Sequence, residues 1–323
     1  VCSGNSTFIL YLIMILAAKE VNVRTIVKLT CIIQGAMLLS IVAMSQIGII
    51  PDYIFDASTR QRHGLGFLWT TTGAILYFYF MVLYIYLREE RAHLIEYVIL
   101  EAVNFGLYKL TDARMSFYLS TLLLVYVYVM RFYWQNRKDR IRKNRLLIGA
   151  PAFFCILAVA CQIFYVPTDA RWQKINSVLS GRLELGCFGW RDYGFSLLGT
   201  KIEWIGFSHN ATAGTYNYVD CSYMQILLEN GLIPLVIIIA VYTYIMYMAV
   251  KEKDFYLQTA VLLITAFSIT EPRLLNLAYN PLPFFGITYI SLRGRSALFH
   301  REGHRLNRRV RFRTTHVRLK ARK

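Results

Sequence analysis

The chain has 323 residues, of which 56% are hydrophobic and 17% charged, and a formal net charge of +17. Soluble domains carry roughly 25% charged residues, and the apolar residues here come in long blocks, which excludes an ordinary soluble enzyme. The positive charge does not point to nucleic acid either, because twelve of the 36 Lys and Arg residues lie in the tail 293–323 and most others sit in short connections between blocks.

Taken in chain order, apolar segments fall near 7–18, 29–50, 67–87, 94–110, 116–134, 146–166, 231–250, 255–270 and 281–292. About 20 apolar residues cross ~30 Å of hydrocarbon as a helix, and backbone groups in lipid must be satisfied within the segment. The expected fold is therefore all-α, a polytopic transmembrane helix bundle of about nine spans with a helical extracytoplasmic loop. The expected organisation is N-terminal spans over 1–166, a large outer loop over 167–230, C-terminal spans over 231–292 and a basic cytoplasmic tail over 293–323. The chain opens at Val1 rather than Met, and the expectation is a fragment that lacks one or more N-terminal spans.

Orientation follows from the loops. Lys19, Arg24 and Lys28, then Arg88 and Arg91, then QNRKDRIRKNR at 135–145, then Lys251 and Lys253, then the tail form one alternating set. Positively charged loops stay in the cytoplasm, so 51–66, 111–115, 167–222 and 271–280 face outward. Within the large loop, Trp172, Ile175, Val178, Leu179 and Leu183 recur at helical spacing, and Asp220 is a candidate cap for a short helix with Tyr223, Ile226 and Leu227 on one face. These helices are expected to form a lid pressed on the membrane. Cys187 and Cys221 share this face, so a disulfide between them is open. Glu96 and Glu101 fall inside a span, where an ionisable residue is either functional or paired.

Positive charges that break the orientation bias are the informative ones. Arg60, Arg62, Arg114, Arg171, Arg182, Arg191 and Arg273 all lie on the outer side with Lys174 and Lys201. Arginine suits planar, bidentate pairing with phosphate or carboxylate, so the set reads as a pocket for a lipid-linked pyrophosphate or another anion; pairing with outer carboxylates or lipid headgroups is the alternative. If the site does chemistry it needs a base, for which His63, His209, Asp112, Asp192, Glu203 and Asp220 are the outer candidates. No Walker loop, dinucleotide fingerprint, zincin helix or GxSxG elbow occurs, and no Asp-rich triplet offers a metal site. Neither a metal nor a cofactor is expected, and nucleic acid is not an expected partner.

Four stretches carry a resemblance. SGNSTFIL at 3–10, RHGLGF at 62–67, LTDARMSF at 110–117, and SGRLELG at 180–186 followed by VDCSYMQILLENGLI at 219–233 are similar, in the same order, to the Wzy-type polymerases of capsular and exopolysaccharide loci. Two departures are visible: LWTTTG follows Phe67 where relatives continue into His-Pro-Asn, and Ala113 stands where Ser is common. The resemblance implies a metal-independent glycosyltransferase, multi-pass in the bacterial cytoplasmic membrane, that polymerises undecaprenyl-pyrophosphate-linked oligosaccharide repeats on the outer face. It implies pyrophosphate binding by Arg62, Arg114 and Arg182, a base among Asp220, Glu203 and His209, and substrate contacts from Tyr223, Trp172 and Arg191. Implied partners are the lipid-linked oligosaccharide, membrane lipids, and a flippase and chain-length regulator of the same pathway. An O-antigen-ligase-like transferase and a lipid-linked-oligosaccharide flippase or transporter are the competing expectations.

Overall fold

A computed structural model describes residues 6–57, 60–142, 145–206 and 216–291. Among these, the regular structure is helical apart from one antiparallel hairpin, β1 (Ile54–Ala57) with β2 (Arg60–His63). The helices are α1 (Thr7–Ala17), α2 (Val23–Gln46), α3 (Thr72–Arg88), α4 (Leu94–Thr111), α5 (Arg114–Arg142), α6 (Ala150–Ile163), α7 (Ala170–Val178), α8 (Arg182–Tyr193), α9 (Ser222–Glu229), α10 (Leu232–Lys251) and α11 (Phe255–Phe267). A further helical stretch covers 283–291.

Every apolar segment read from the sequence coincides with a helical stretch. Three helices of the described residues, not nine, are long and apolar enough to cross a membrane: α2, Arg145–Ile163 (a short 3-10 turn leading into α6) and α10. The shortfall is one of length and charge. Helix α1 has 11 residues and α11 has 13, while α4 carries Glu96, Glu101 and Lys109.

Helices α2 and α4 present apolar faces outward and bury polar groups. On α2, Leu29, Ile32, Ile33 and Leu39 are exposed while Gln34 is buried; on α4, Ile95, Val98, Ile99 and Val103 are exposed while Asn104 is buried. Water would make this arrangement costly, since monomeric soluble proteins rarely expose large contiguous apolar patches. Hydrocarbon favours it, because association there depends on packing and on polar side chains meeting inside. Glu101 illustrates the second term. It accepts from Thr121 Oγ1 at 2.7 Å and from Asn104 Nδ2 at 3.2 Å, joining α4 to α5. Glu96 is likewise paired, with Arg88 at 2.6 Å and the Tyr84 hydroxyl at 2.5 Å.

Helices α3 and α11 form the centre. Phe78 of α3 stacks at a tilt on Phe267 of α11 with centroids 4.4 Å apart, and Tyr79 lies between Phe267 and Tyr279. Around them α2, α4 and α5 pack on α3, and α6 and α10 pack on α11. The outer-loop helices α8 and α9 rest on α6 and on each other. The helical periodicity across 170–186 is broken in the structure. Ser180 and Gly181 both take positive φ, at 55° and 82°, which ends α7 and restarts the chain as α8 with Arg182 in its first turn. Trp172 and Leu179 pack on the buried Tyr165, Leu183 and Cys187, whereas Ile175 and Val178 stay exposed. Cys187 and Cys221 are separate, buried free thiols, and Cys187 Sγ lies 3.7 Å from the Tyr165 carbonyl.

The non-helical segment 271–282 is partly buried against the helices, and buried irregular backbone needs internal partners. Gln34 Nε2 donates to the carbonyls of Ala278 and Tyr279 at 2.8 and 2.9 Å. The Tyr242 hydroxyl donates to the Leu274 carbonyl at 2.8 Å, and Asn280 Nδ2 donates to that carbonyl and to the Tyr242 hydroxyl at 2.7 Å each. Asn280→Leu removes the Nδ2 donor and, at a fully buried position, the Oδ1 that accepts from the Leu282 backbone N–H at 3.2 Å, leaving that N–H without its partner. An unsatisfied buried group costs about 1–3 kcal/mol, so thermal unfolding in detergent should show a clear loss of stability.

Candidate functional site: an arginine-lined cavity

Four connections that the sequence assigns to the outer side meet at one end of the bundle. The first follows β2. His63 Nδ1 and Asp52 Oδ2 lie 2.6 Å apart, and Asp52 Oδ1 accepts from the Leu65 backbone at 2.7 Å. Leu65 and Gly66 take positive φ, at 53° and 85°. RHGLGF is thus a clamped turn that delivers Arg62 to the end of α4, where its Nε donates to the Thr111 carbonyl at 3.0 Å. A cation suits that position, because the last carbonyls of a helix carry partial negative charge.

The second connection is the tight reversal between α4 and α5. Asp112 adopts the left-handed conformation that ends α4, one that Asp tolerates better than most residues. Its carboxylate then lies 3.3 Å from Arg114. The third is the Ser180–Gly181 break, which presents Arg182. The fourth is 271–273, just past α11, with Glu271 and Arg273.

Together they enclose a cavity of about 610 Å³, lined among others by Arg62, Arg114, Arg182, Arg273, Asp112, Asp220, Glu271, Trp69, Tyr216 and Tyr218. Four guanidinium groups face three carboxyl groups. Arg182 is central: its side chain is 15% exposed, Nη2 donates to Glu271 Oε1 at 3.1 Å, and Nε lies 3.6 Å from Asp220 Oδ2. The 3.6 Å contact is an ion pair but too long for a hydrogen bond. The Nε groups of Arg182 and Arg273 are buried with no hydrogen-bond partner among the described residues. Such donors in a cavity wall are what an entering oxyanion requires. Arg273 also lies over the Tyr279 ring, 4.4 Å from its centroid.

No family model, curated protein or solved structure matches the chain.

Burial sets the protonation chemistry of the cavity. Desolvation pushes the Glu271 carboxyl up to about 7, against the opposing pull of Arg182, and Asp220 adds to the rise. Burial also raises Asp220, opposed by Arg182 and Arg273. Arg62 moves the other way, lowered chiefly by burial. A carboxyl whose folded pKa lies above its unfolded value weakens the fold as pH rises between the two. Glu271 therefore destabilises increasingly from the ordinary carboxylate range up to about pH 7, and the cavity gains positive surplus when it is protonated. Among the described residues no three His, Cys, Asp or Glu side chains are grouped to hold a metal ion.

The residues singled out from the sequence divide clearly. Arg62, Arg114, Arg182 and Asp220 line the cavity. Asp220 does not cap α9; the cap position is Cys221 and has no side-chain bond. Glu203 lies outside the cavity wall, 86% exposed and 3.9 Å from Lys201. Tyr223 is fully buried and donates to the Thr265 carbonyl at 2.6 Å, so it packs α9 onto α11 and offers no face to a ligand. Trp172 packs edge-on against Tyr165, and Arg191 is exposed near the end of α8. His209 lies outside the described residues. Glu271 and Arg273 join the site although the sequence did not single them out as a pair. Their available signal was TEPR, an adjacent acid and base in a short outer connection between apolar segments.

Proposed function

We propose that the chain is a membrane glycosyltransferase of the Wzy type, polymerising undecaprenyl-pyrophosphate-linked repeats on the outer face of the bacterial cytoplasmic membrane. The observation that carries this reading is the convergence of Arg62, Arg114 and Arg182 on one cavity. They come from RHGLGF, LTDARMSF and SGRLELG, three of the stretches that resemble the polymerases. A nine-span, multi-pass topology fits, with the cavity on the side away from the basic loops.

In this reading the arginines hold the pyrophosphate and take up the charge that builds on it as it leaves. The unpartnered Nε groups of Arg182 and Arg273 supply donors, and the aromatic rings of Trp69, Tyr216 and Tyr218 supply surfaces for sugar rings. The partners follow as the lipid-linked oligosaccharide, surrounding lipids, and the flippase and chain-length regulator of the pathway.

The test is complementation of a polymerase-deleted native strain with the full-length gene, followed by sizing of lipid-linked glycans. The expected result is a ladder with the gene and single repeats without it. Single repeats in both, with the protein present in membranes, overturn the reading. A full ladder without the gene, still confined to its lipid carrier, transfers the assignment to ligase-type chemistry, which uses the same donor.

A further inference from the structure

Glu271 is the cavity group that anion binding leaves unexplained. A pocket built only to hold pyrophosphate gains nothing from a buried carboxyl against its central arginine. Arg182 already has Asp220 at 3.6 Å, so Glu271 is a second acid on the same guanidinium. Its backbone is also anchored. The Ser222 hydroxyl at the start of α9 donates to the Glu271 carbonyl at 2.5 Å and accepts from the Leu274 backbone at 3.1 Å. The side chain is 8% exposed yet lines the cavity. With its backbone anchored there and its carboxyl held 3.1 Å from Arg182 Nη2, Glu271 is positioned at the cavity wall for proton transfer.

We infer that Glu271 is the proton acceptor of the transfer reaction, an inference that rests on the glycosyltransferase reading above. The acceptor hydroxyl oxygen forms the new bond to the anomeric carbon of the donor, and its proton passes to the Glu271 carboxylate. The bond from that carbon to the pyrophosphate oxygen breaks, and its electron pair leaves with the pyrophosphate toward the arginines. Protonated Glu271 then releases its proton to water at the mouth of the cavity. Arg182 has two parts in this scheme: it binds the leaving group and keeps enough of Glu271 ionised to act.

The acid–base balance of the site is consistent with the role. Desolvation raises the carboxyl to about 7, and a general base works best with a pKa near the operating pH. The charged and titratable groups facing it are Arg182 on α8, Asp220 ahead of α9, Arg273 on its own segment, and Tyr79, Tyr216 and Tyr218. Of these Asp220 is the other carboxyl that burial raises, so it is the competing candidate for an acid limb. The ionised form is the active one, so the rate is present above about pH 7 and falls as the pH drops through it.

The experiment measures initial rates of ladder formation in membranes carrying the full-length chain and the native lipid-linked repeat, from about pH 5.5 to about 8.5. The wild type should show an acid limb. Glu271→Gln should lower turnover by roughly 10²–10⁴-fold, the usual contribution of a general base, and the residual rate should lose that limb. A fully active Glu271→Gln, or one that keeps the limb, overturns the inference and hands the transition to Asp220. If Glu271→Gln does not accumulate, Glu271→Asp is decisive: a displaced limb supports the role and an unchanged one overturns it. A wild type that makes no ladder removes the polymerase reading and this inference with it. A wild-type ladder with an unaffected Glu271→Gln removes the inference alone.

Discussion

Arg182→Ala is expected to abolish the lipid-linked ladder while the protein remains in the membrane. Two consequences combine at this position. A donor aimed at the leaving pyrophosphate disappears, and loss of one preorganised donor to developing charge costs about 10²–10³ in rate. In addition, Glu271 loses its 3.1 Å partner and, buried, stays protonated at neutral pH. Arg182→Lys should recover only part of the activity, because an ammonium group cannot reach both carboxyls and the pyrophosphate in a planar array. Arg114→Ala should be milder. Its side chain is 57% exposed and pairs with Asp112 at 3.3 Å, so part of its charge is screened by water. Gel sizing of glycans beside immunoblots of the membrane fraction reads both variants. Equal loss in Arg114→Ala and Arg182→Ala would contradict the central place given to Arg182. Full activity in Arg182→Ala would remove it from the site.

Gly231→Ala is expected to prevent accumulation of folded protein. Gly231 sits at φ 99° and ψ 176°, a region that essentially only glycine occupies, with a strain of about 1–3 kcal/mol for other residues. A methyl group there would also meet backbone: Gly199 N at 2.4 Å and the Leu197 carbonyl oxygen at 2.6 Å. Backbone cannot swing aside as a side chain can, so the packing of 197–199 against the start of α10 must open. The two hydrogen bonds from Leu232 and Ile233 to the Ser196 and Leu197 carbonyls would be lost with it. Gly48→Ala is the matched control. It carries a φ of 78° but has nothing within 4 Å of an added methyl group, so it isolates the conformational cost. Membrane abundance and melting temperature in detergent should separate the two strongly. Similar behaviour would mean that the contact between 197–199 and Gly231 is not what holds α10 in place.

The polar interior shows a different division of labour. Gln34, Tyr242 and Asn280 lie far apart in sequence on or beside apolar segments, where each looks like an isolated polar interruption. Their common purpose, supporting the backbone of 274–279, exists only once α2, α10 and the 271–282 segment are brought together. The same holds for RHGLGF. Arg62 reads as an anion binder and His63 as a candidate base, yet much of the stretch builds a turn, with Asp52 as its clamp.

By itself the sequence determined the helical segments and the grouping of the loops into two sides, because blocks of apolar residues and the distribution of Lys and Arg are local quantities. It also marked Arg62, Arg114, Arg182 and Arg273, and Asp112 and Asp220 as candidate bases, since charge on the outer side of such a pattern stands out without any knowledge of contacts. Tertiary structure alone decided which of the marked residues meet. Trp172, Tyr223, Arg191 and Glu203 share the loop and the chemistry of the cavity residues, but the packing of α9 turns Tyr223 into the core and the non-helical stretch 201–206 leaves Glu203 in solvent. Glu271 enters the site because the segment after α11 lies beside the start of α8, a proximity of about ninety residues' separation that no local pattern encodes. The raised Glu271 carboxyl has the same origin. A pKa depends on burial and on neighbouring charge, and both are properties of the folded assembly of helices.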